Sequence, residues 1–368
     1  MSNSTNNGSQ KFLNSKRLKV AVLGCTGMVG QQFVKMLDGH PFFETAALCS
    51  SKNSADKKYQ EATDWIVGGV IPDAVKNIEI TDTSAKKLLN RDIKIVFSAL
   101  PAGVAKTIEQ DLTREKLCVF TNASAHRMEL DVPVVIPEVN PDHLDLIDAQ
   151  KNQNGGFIVS NSNCSTTGLV MALKPLLEFG LNSAVVTTYQ ALSGAGRNGV
   201  ASLKILDNII PFIPKEEEKM EQETQKILGS LKDTCIDKSK IEIIASCCRV
   251  PTRDGHLESV LVDLDQDIKP EKLSDAFRNF QGIPQRMNLP TAPDRPLIVR
   301  TELDRPQPLL DRDAGSPERA KGMAVTVGRI RKKNKRLSFF LLAHNTIRGA
   351  AGTCILNAEL AVAKNLIP

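Results

Sequence analysis

Residues 18–37 read LKVAVLGCTGMVGQQFVKML, and this stretch decides the fold. The apolar run from Leu18 to Leu23 has the character of a buried parallel strand. The loop Gly24 to Gly30, G-C-T-G-M-V-G, places glycines at its first, fourth and seventh positions, and QQFVKML continues as a helix. Strand, glycine loop and helix in that order form a variant of the dinucleotide fingerprint. Its physical basis is that free amides at the helix N-terminus, aided by the helix dipole, face a pyrophosphate.

Working outward, ETAALCSS supplies a second strand at the spacing such a unit requires. IKIVFSAL (93–100) and LCVFTNAS (117–124) supply two more, with helical stretches between them. The alternation predicts an α/β protein with a Rossmann-type doubly wound parallel sheet. GFIVSNSNC then delivers Cys164 to the start of a helical segment and marks a boundary. Beyond it come the strand SAVVTTYQALSG, an amphipathic helix around EEEKMEQETQKILGSL, and a hairpin-like IEIIASCCRVPTRDGHLESVLVDL with Asp254-Gly255 as its turn. These predict a second α+β domain with a mixed sheet. The expected organisation is a disordered lead-in over 1–17, a cofactor domain over 18–160 and a catalytic and dimerisation domain over 161–344. A C-terminal helix over 345–368 returns to the first domain. Asp304 to Lys321 reads as a long loop.

Composition agrees with a two-domain soluble enzyme. A chain of 368 residues exceeds what one core usually supports, and 41% hydrophobic with 24% charged residues is ordinary. No apolar run approaches a membrane span. The net charge of +5 is spread along the chain except at RIRKKNKR (329–336), which reads as a solvated turn between two strands. Neither a nucleic-acid nor a membrane partner is expected. The eight cysteines form no CxxC pair and no zinc spacing, so no metal site is expected. Together with an N-terminus lacking an apolar signal region, they point to a reducing cytoplasm.

An NAD-binding strand usually ends in a carboxylate roughly 20 residues beyond the glycine loop. Here that place reads Cys49-Ser50-Ser51-Lys52, whose hydroxyls and cation suit a 2′-phosphate, so NADP is expected. Cys164 sits among polar residues in SNSNCSTTG at a helix start, where the dipole favours a thiolate nucleophile. His256 follows the Asp-Gly turn and is a candidate proton carrier. Glu223 and Lys226 border the apolar stripe of the amphipathic helix, and by spacing alone they form a surface charge pair.

From SNSNCSTTGLV outward, the chain resembles the aspartate-semialdehyde dehydrogenase family in its fungal and archaeal form. Ordered blocks carry the resemblance from Lys19 to the C-terminus: GCTGMVGQQF, NASAHRMELDVPVVIPEVNPDHL, YQALSGAGR, RVPTRDGHLE, DRPQP and HNTIRGAAG. The resemblance implies NADPH-dependent reductive dephosphorylation of aspartyl phosphate to aspartate semialdehyde, toward lysine, threonine and methionine. It implies Cys164 as nucleophile, His256 as acid/base and Gln190 orienting a thioester. It further implies Arg249 on the substrate carboxylate, Glu223 on its ammonium, and Lys226, Arg127 and Asn163 around phosphate. For NADP it implies Gly24 and Thr26, Gly27, Met28 and Val29 at the pyrophosphate, and Ser50 and Ser51 at the 2′-phosphate. Ser98, Leu100, Gly194 and Asn345 fall toward the nicotinamide. A homodimer or homotetramer is the implied assembly.

Three rivals stay open at this point. N-acetyl-glutamyl-phosphate reductase shares the chemistry but needs no partner for an ammonium. A cysteine hydrolase or acyltransferase needs no glycine loop. A non-catalytic NADP-binding regulator needs no Cys164.

Overall fold

The chain builds two large sheets and a two-stranded one, Ser230–Lys232 with Cys235–Asp237, and packs its last helix against the first. The computed structural model describes residues 16–51 and 54–367; the lead-in up to residue 15 and Lys52 lie outside the described residues. Strand β1 (Leu18–Leu23) runs between β2 (Phe43–Cys49) and β3 (Ile95–Ser98), followed by β4 (Cys118–Thr121) and β5 (Phe157–Ser160). All are parallel, in the order β2-β1-β3-β4-β5. The helices α1 (Met28–Leu37) and α2 (Ala102–Arg114) are crossovers. Val20 to Leu23 are fully buried because both faces of β1 are covered, which explains their unbroken apolar character.

The glycine loop is required by geometry. Gly24 has φ +69°, and a Cβ there would lie 2.7 Å from the Ala99 carbonyl oxygen; a Cβ on Gly30 would lie 2.1 Å from that of Gly24. A ladder of rings fills the core behind this edge: Phe33 to Phe97 at 5.2 Å, Phe97 to Phe120 at 6.1 Å and Phe120 to Phe157 at 5.8 Å. Each buried ring contributes roughly 1.5–3 kcal/mol. Helix α5 (Gly352–Ala363) shares this core through Cys354, Ile355 and Leu356. A buried bidentate pair, Arg348 to Glu138 at 2.9 and 2.7 Å, fixes the π-helical turn Ile347–Ala351 ahead of it.

After β5 the chain enters α3 (Cys164–Leu173), then β6 (Leu181–Gln190), α4 (Glu216–Ile227), β7 (Glu242–Arg249) and β8 (His256–Leu264). Strands β9 (Leu297–Val299), β10 (Val325–Lys333) and β11 (Arg336–Ala343) complete a mixed sheet ordered β9-β10-β11-β8-β6-β7. The basic run does form the β10–β11 turn. The hairpin expected between β7 and β8 does not form. Instead β6 lies between them, parallel to β7 and antiparallel to β8. Crossing two inter-strand spacings of about 4.8 Å needs the longer 250–255 connection, and Asp-Gly marks a hairpin reliably only in a two-residue loop.

Helix α3 is buried along almost its whole length, with Gly168 against Leu341 and Ala343 of β11. Helix α4 covers the edge strand, its Glu217 and Glu221 accepting the N–H groups of Cys247 and Ala245. The loop 304–321 is ordered around the buried Asp311 carboxylate, which accepts from Arg300, Arg305 and the Gln307 amide. On the sheet's other face Val185, Ile244 and Leu261 are exposed.

Candidate active site

Cys164 is the first residue of α3, at the seam between the two sheets. Its helix is capped by Asn163, whose Oδ1 accepts the Ser165 and Thr166 N–H groups at 2.9 and 3.2 Å. The Cys164 Sγ lies 3.2 Å from Nε2 of His256, the first residue of β8. On the other side of the ring, Nδ1 accepts the Ala191 N–H at 3.0 Å. An Nδ1 that accepts carries no proton, so the neutral ring holds its proton on Nε2 and directs it at sulfur. Burial and the nearby Arg249 hold His256 well below the usual histidine range, which keeps it neutral. Burial, then Glu216, push the Cys164 thiol up to about 12, against the opposing pull of Arg127 and Arg249. The helix N-terminus does not outweigh desolvation, and without ligand the cysteine rests as a thiol.

Arg249 ends β7, directly across from Gln190 at the end of β6. Its Nη1 donates to the Ala191 carbonyl at 2.7 Å, and it reaches the site beside Gly194, where an added Cβ would lie 2.9 Å from that nitrogen. Gln190 is buried, with Nε2 turned to Thr188 Oγ1 at 3.2 Å, and it does not line the cavity in front of Cys164.

That cavity measures about 320 Å³. Arg127, Asn163 and Cys164 form one wall, and Glu216 and Lys219 of α4 form another. Glu223 and Lys226 do not reach it. The Glu223 carboxylate, 2% exposed, accepts Arg127 Nη1 at 2.9 Å and the Asn163 N–H at 2.6 Å. Lys226 directs its ammonium onto the carbonyls of Arg127, Glu129 and Val132 at 2.8, 2.6 and 2.8 Å, which occupies all three of its donors. In the chain by itself both side chains are buried and bonded to protein partners at the seam with Arg127 and Asn163. The charged residues of α4 that line the cavity are Glu216, whose Oε1 accepts Asn163 Nδ2 at 2.7 Å, and Lys219, 3.4 Å from Glu216. The signal was present, because the Glu-x-x-Lys pattern occurs twice in EEEKMEQETQK.

The other end of the same cavity is bounded by Met28, Val29 and Leu100, with Gly194 and Asn345 opposite. Asn345 is fixed by donating to Ser193 Oγ at 2.7 Å and accepting the Gly255 N–H at 2.9 Å. Gly27 caps α1 with no side-chain bond, so amides at that helix N-terminus are not taken by a cap. Thr26 Oγ1 and Ser50 Oγ meet at 3.0 Å, and Ser51 beside them is exposed. Ser98 is fully buried at the end of β3 and does not line the cavity. An uncapped helix N-terminus, paired hydroxyls at the end of β2, and a cavity that joins Met28 and Val29 to Cys164 fit a dinucleotide phosphorylated on its ribose.

Known proteins agree with this geometry. Residues 19–147 match the semialdehyde dehydrogenase NAD-binding domain, and residues 173–348 match the semialdehyde dehydrogenase dimerisation domain. An aspartate-semialdehyde dehydrogenase of Archaeoglobus fulgidus is 49% identical over 95% of this chain and 100% of its own. A malonyl CoA reductase (NADP) of Metallosphaera sedula is 39% identical over 96% and 99%. The crystal structure of aspartate semialdehyde dehydrogenase with NADP from Candida albicans superposes with a TM-score of 0.87 at 39% identity, covering 96% of this chain and 100% of that one.

Proposed function

From the chain's membership of the semialdehyde dehydrogenase family, we propose that it is an NADP-dependent aspartate-semialdehyde dehydrogenase, interconverting aspartyl phosphate and aspartate semialdehyde through a thioester on Cys164. The observation that carries the reading is the Cys164–His256 contact at 3.2 Å, with Cys164 lining a cavity that also reaches Met28 and Val29 of the glycine loop and the charges of Arg127, Glu216 and Lys219. Bound NADP supplies the hydride acceptor, or as NADPH the donor.

In the oxidative direction the Cys164 sulfur bonds to the aldehyde carbon as its S–H bond breaks, the proton leaving to solvent and the carbonyl π pair moving to oxygen. The developing oxyanion lies within reach of the Nε2–H of His256, a donor that needs no reorganisation. Loss of hydride from that carbon leaves the thioester. A phosphate oxygen then attacks the thioester carbon, the C–S bond breaks, and the thiolate departs toward the same Nε2–H. Arg127 and Lys219 on the cavity walls are the cations for phosphate, Arg249 the clamp for the α-carboxylate, and Glu216 the partner of the ammonium.

Glu216 separates this substrate from its rivals. An N-acylated glutamyl phosphate and a malonyl thioester both lack an ammonium, and either would leave that carboxylate with Lys219 but with no charge partner on the substrate. The Metallosphaera sedula relative makes malonyl-CoA the comparison substrate to run. The exposed Val185, Ile244 and Leu261, on a region matching a dimerisation domain, support a homodimer through the open sheet face. Eight unpaired cysteines support a cytoplasmic setting. Among the described residues no helix is long and apolar enough to cross a membrane.

The deciding experiment mixes enzyme, NADP and aspartate semialdehyde without phosphate. A burst of about one NADPH per site should appear, followed by slow hydrolysis, and phosphate should restore turnover. Cys164→Ala should abolish the burst while NADP still binds. Substantial turnover in Cys164→Ala, or a faster reaction with the N-acetyl-glutamate or malonyl-CoA analogue, would sink the assignment.

A further inference from the structure

Resting on the functional reading above, we infer that Gln31 is a positioning residue for hydride transfer, tying the glycine loop to a loop of the cofactor domain that two arginines of the catalytic domain grip. Gln31 is fully buried on α1. Its Nε2 donates to the carbonyls of Thr26 and Asp64 at 3.0 and 2.9 Å, and its Oε1 accepts the Ile66 N–H at 2.9 Å. A backbone N–H can only donate, so the Ile66 bond settles which end of the amide is oxygen and leaves both N–H groups for the two carbonyls. A buried amide is costly unless its bonds are made. The 64–66 loop therefore has one place to sit relative to Thr26.

The catalytic domain meets that loop at two points. Arg197 Nη2 donates to the Asp64 carboxylate at 2.9 Å, and Arg253 Nη2 donates to the Ile66 carbonyl at 2.7 Å. The two arginines belong to one unit, because the N–H groups of Leu192 and Ser193 donate to the carbonyls of Thr252 and Arg253 at 2.7 and 3.1 Å. That unit carries Gly194, supplies the Ser193 and Gly255 bonds that fix Asn345, and runs directly into His256. A cavity of about 470 Å³ separates the 66–68 segment from the 192–197 turn beside the two grips, so packing does not hold the seam shut there. Both grips are solvent-exposed and individually weak, and they fix the seam only as a pair on a loop that cannot shift. Without Gln31 the arginines hold a loose loop, and the nicotinamide end of the cofactor loses its register with Cys164.

The test follows the rate of the phosphate-free NADPH burst by rapid mixing. Arg197→Ala with Arg253→Ala should slow the burst about tenfold, and Gln31→Leu by a similar factor, while alkylation of Cys164 without cofactor stays within about twofold of wild type. Adding Gln31→Leu to the arginine pair should slow the burst no further, since the loop it fixes then holds nothing across the seam. The inference is overturned if the double arginine variant keeps a burst within about twofold of wild type, or if Gln31→Leu is fully additive with it, as a plain loss of cofactor-domain stability would be. Should Gln31→Leu fail to fold, a charge swap decides: Asp64→Arg alone should slow the burst and Asp64→Arg with Arg197→Asp should restore it, and no restoration rejects the proposal. Trp65, the chain's one tryptophan, lies between the two gripped residues and reports the loop without turnover. NADP should shift its emission in the wild type and not in the folded Gln31→Leu, and an identical shift in both also rejects the proposal. Absence of any burst in the wild-type chain, with that emission response intact, would instead reject the functional reading and leave the Gln31 link standing.

Discussion

Gly349→Ala is the sharpest probe of how the C-terminal segment sets the nucleophile. Gly349 lies in the π-helical turn Ile347–Ala351, and its N–H is bonded to the His344 carbonyl at 3.0 Å. A Cβ at this position would lie 2.6 Å from the Cys164 Cβ and 2.9 Å from its Cα. Carbon atoms settle at about 3.5–4.0 Å, so roughly 1 Å of space must open. The turn cannot give easily, because the buried Arg348–Glu138 pair holds it at 2.9 and 2.7 Å. Cys164 must then move, stretching its 3.2 Å contact with His256 beyond hydrogen-bond range. A displacement of that size in a reacting group can cost about 10²-fold, so kcat/KM for NADPH formation should fall about 100-fold. Overpacking should lower stability by only about 1–3 kcal/mol, so the variant should still fold. Gly103→Ala, where an added Cβ meets nothing within 4 Å, is the neutral control. A folded Gly349→Ala with kcat/KM within threefold of wild type would refute the claim that this turn fixes Cys164.

Nitrogen-15 NMR of labelled histidine should find His256 neutral at pH 6.5 with its proton on Nε2; a proton on Nδ1 or an imidazolium would contradict the Ala191 contact at 3.0 Å. Ser51→Asp places a carboxylate beside Ser50 and should weaken NADP binding about tenfold or more while improving NAD, and unchanged selectivity by equilibrium titration would remove this edge from the cofactor site. Glu258 is fully buried, and burial followed by Glu216 holds its carboxyl well above the ordinary range, so it is protonated in the folded chain and ionised in the unfolded one at neutral pH. That raised value costs stability as pH rises above about 4.5, by about 1.4 kcal/mol per unit until the folded group titrates. Glu258→Gln should therefore gain on wild type in urea unfolding at pH 7 relative to pH 4.5, and a gap that does not widen with pH would show that Glu258 is ionised in place.

Much of the fold was legible because its signals are local. The buried run at β1, the glycines at 24, 27 and 30, and the basic turn between β10 and β11 each reflect one short-range requirement of backbone or burial. The β7–β8 connection was misread because strand adjacency is not local. Nothing in IEIIASCCRVPTRDGHLESVLVDL states that β6, far earlier in the chain, slides between its two strands. The same limit hid the thiol's protonation: a helix N-terminus is visible in SNSNCSTTG, but the enclosure that pushes Cys164 up to about 12 comes from β8, α4 and the 347–351 turn together.

Helix α4 shows what periodicity can and cannot specify. Two Glu-x-x-Lys pairs seven residues apart differ by only about 20° around a helix, so both present the same side and no moment or stripe separates them. They differ by about 10 Å along the axis, which is the distance between lining the cavity and bonding to Arg127. Asn163 measures that offset directly, since its side chain bonds Glu216 while its backbone N–H bonds Glu223. A residue's angular position on a helix is written in its own segment, but its axial position relative to a site is set by whatever the helix docks against. Here that is the Asn163–Cys164 junction, which fixes Glu216 and Lys219 at the cavity and leaves the second pair to hold Arg127.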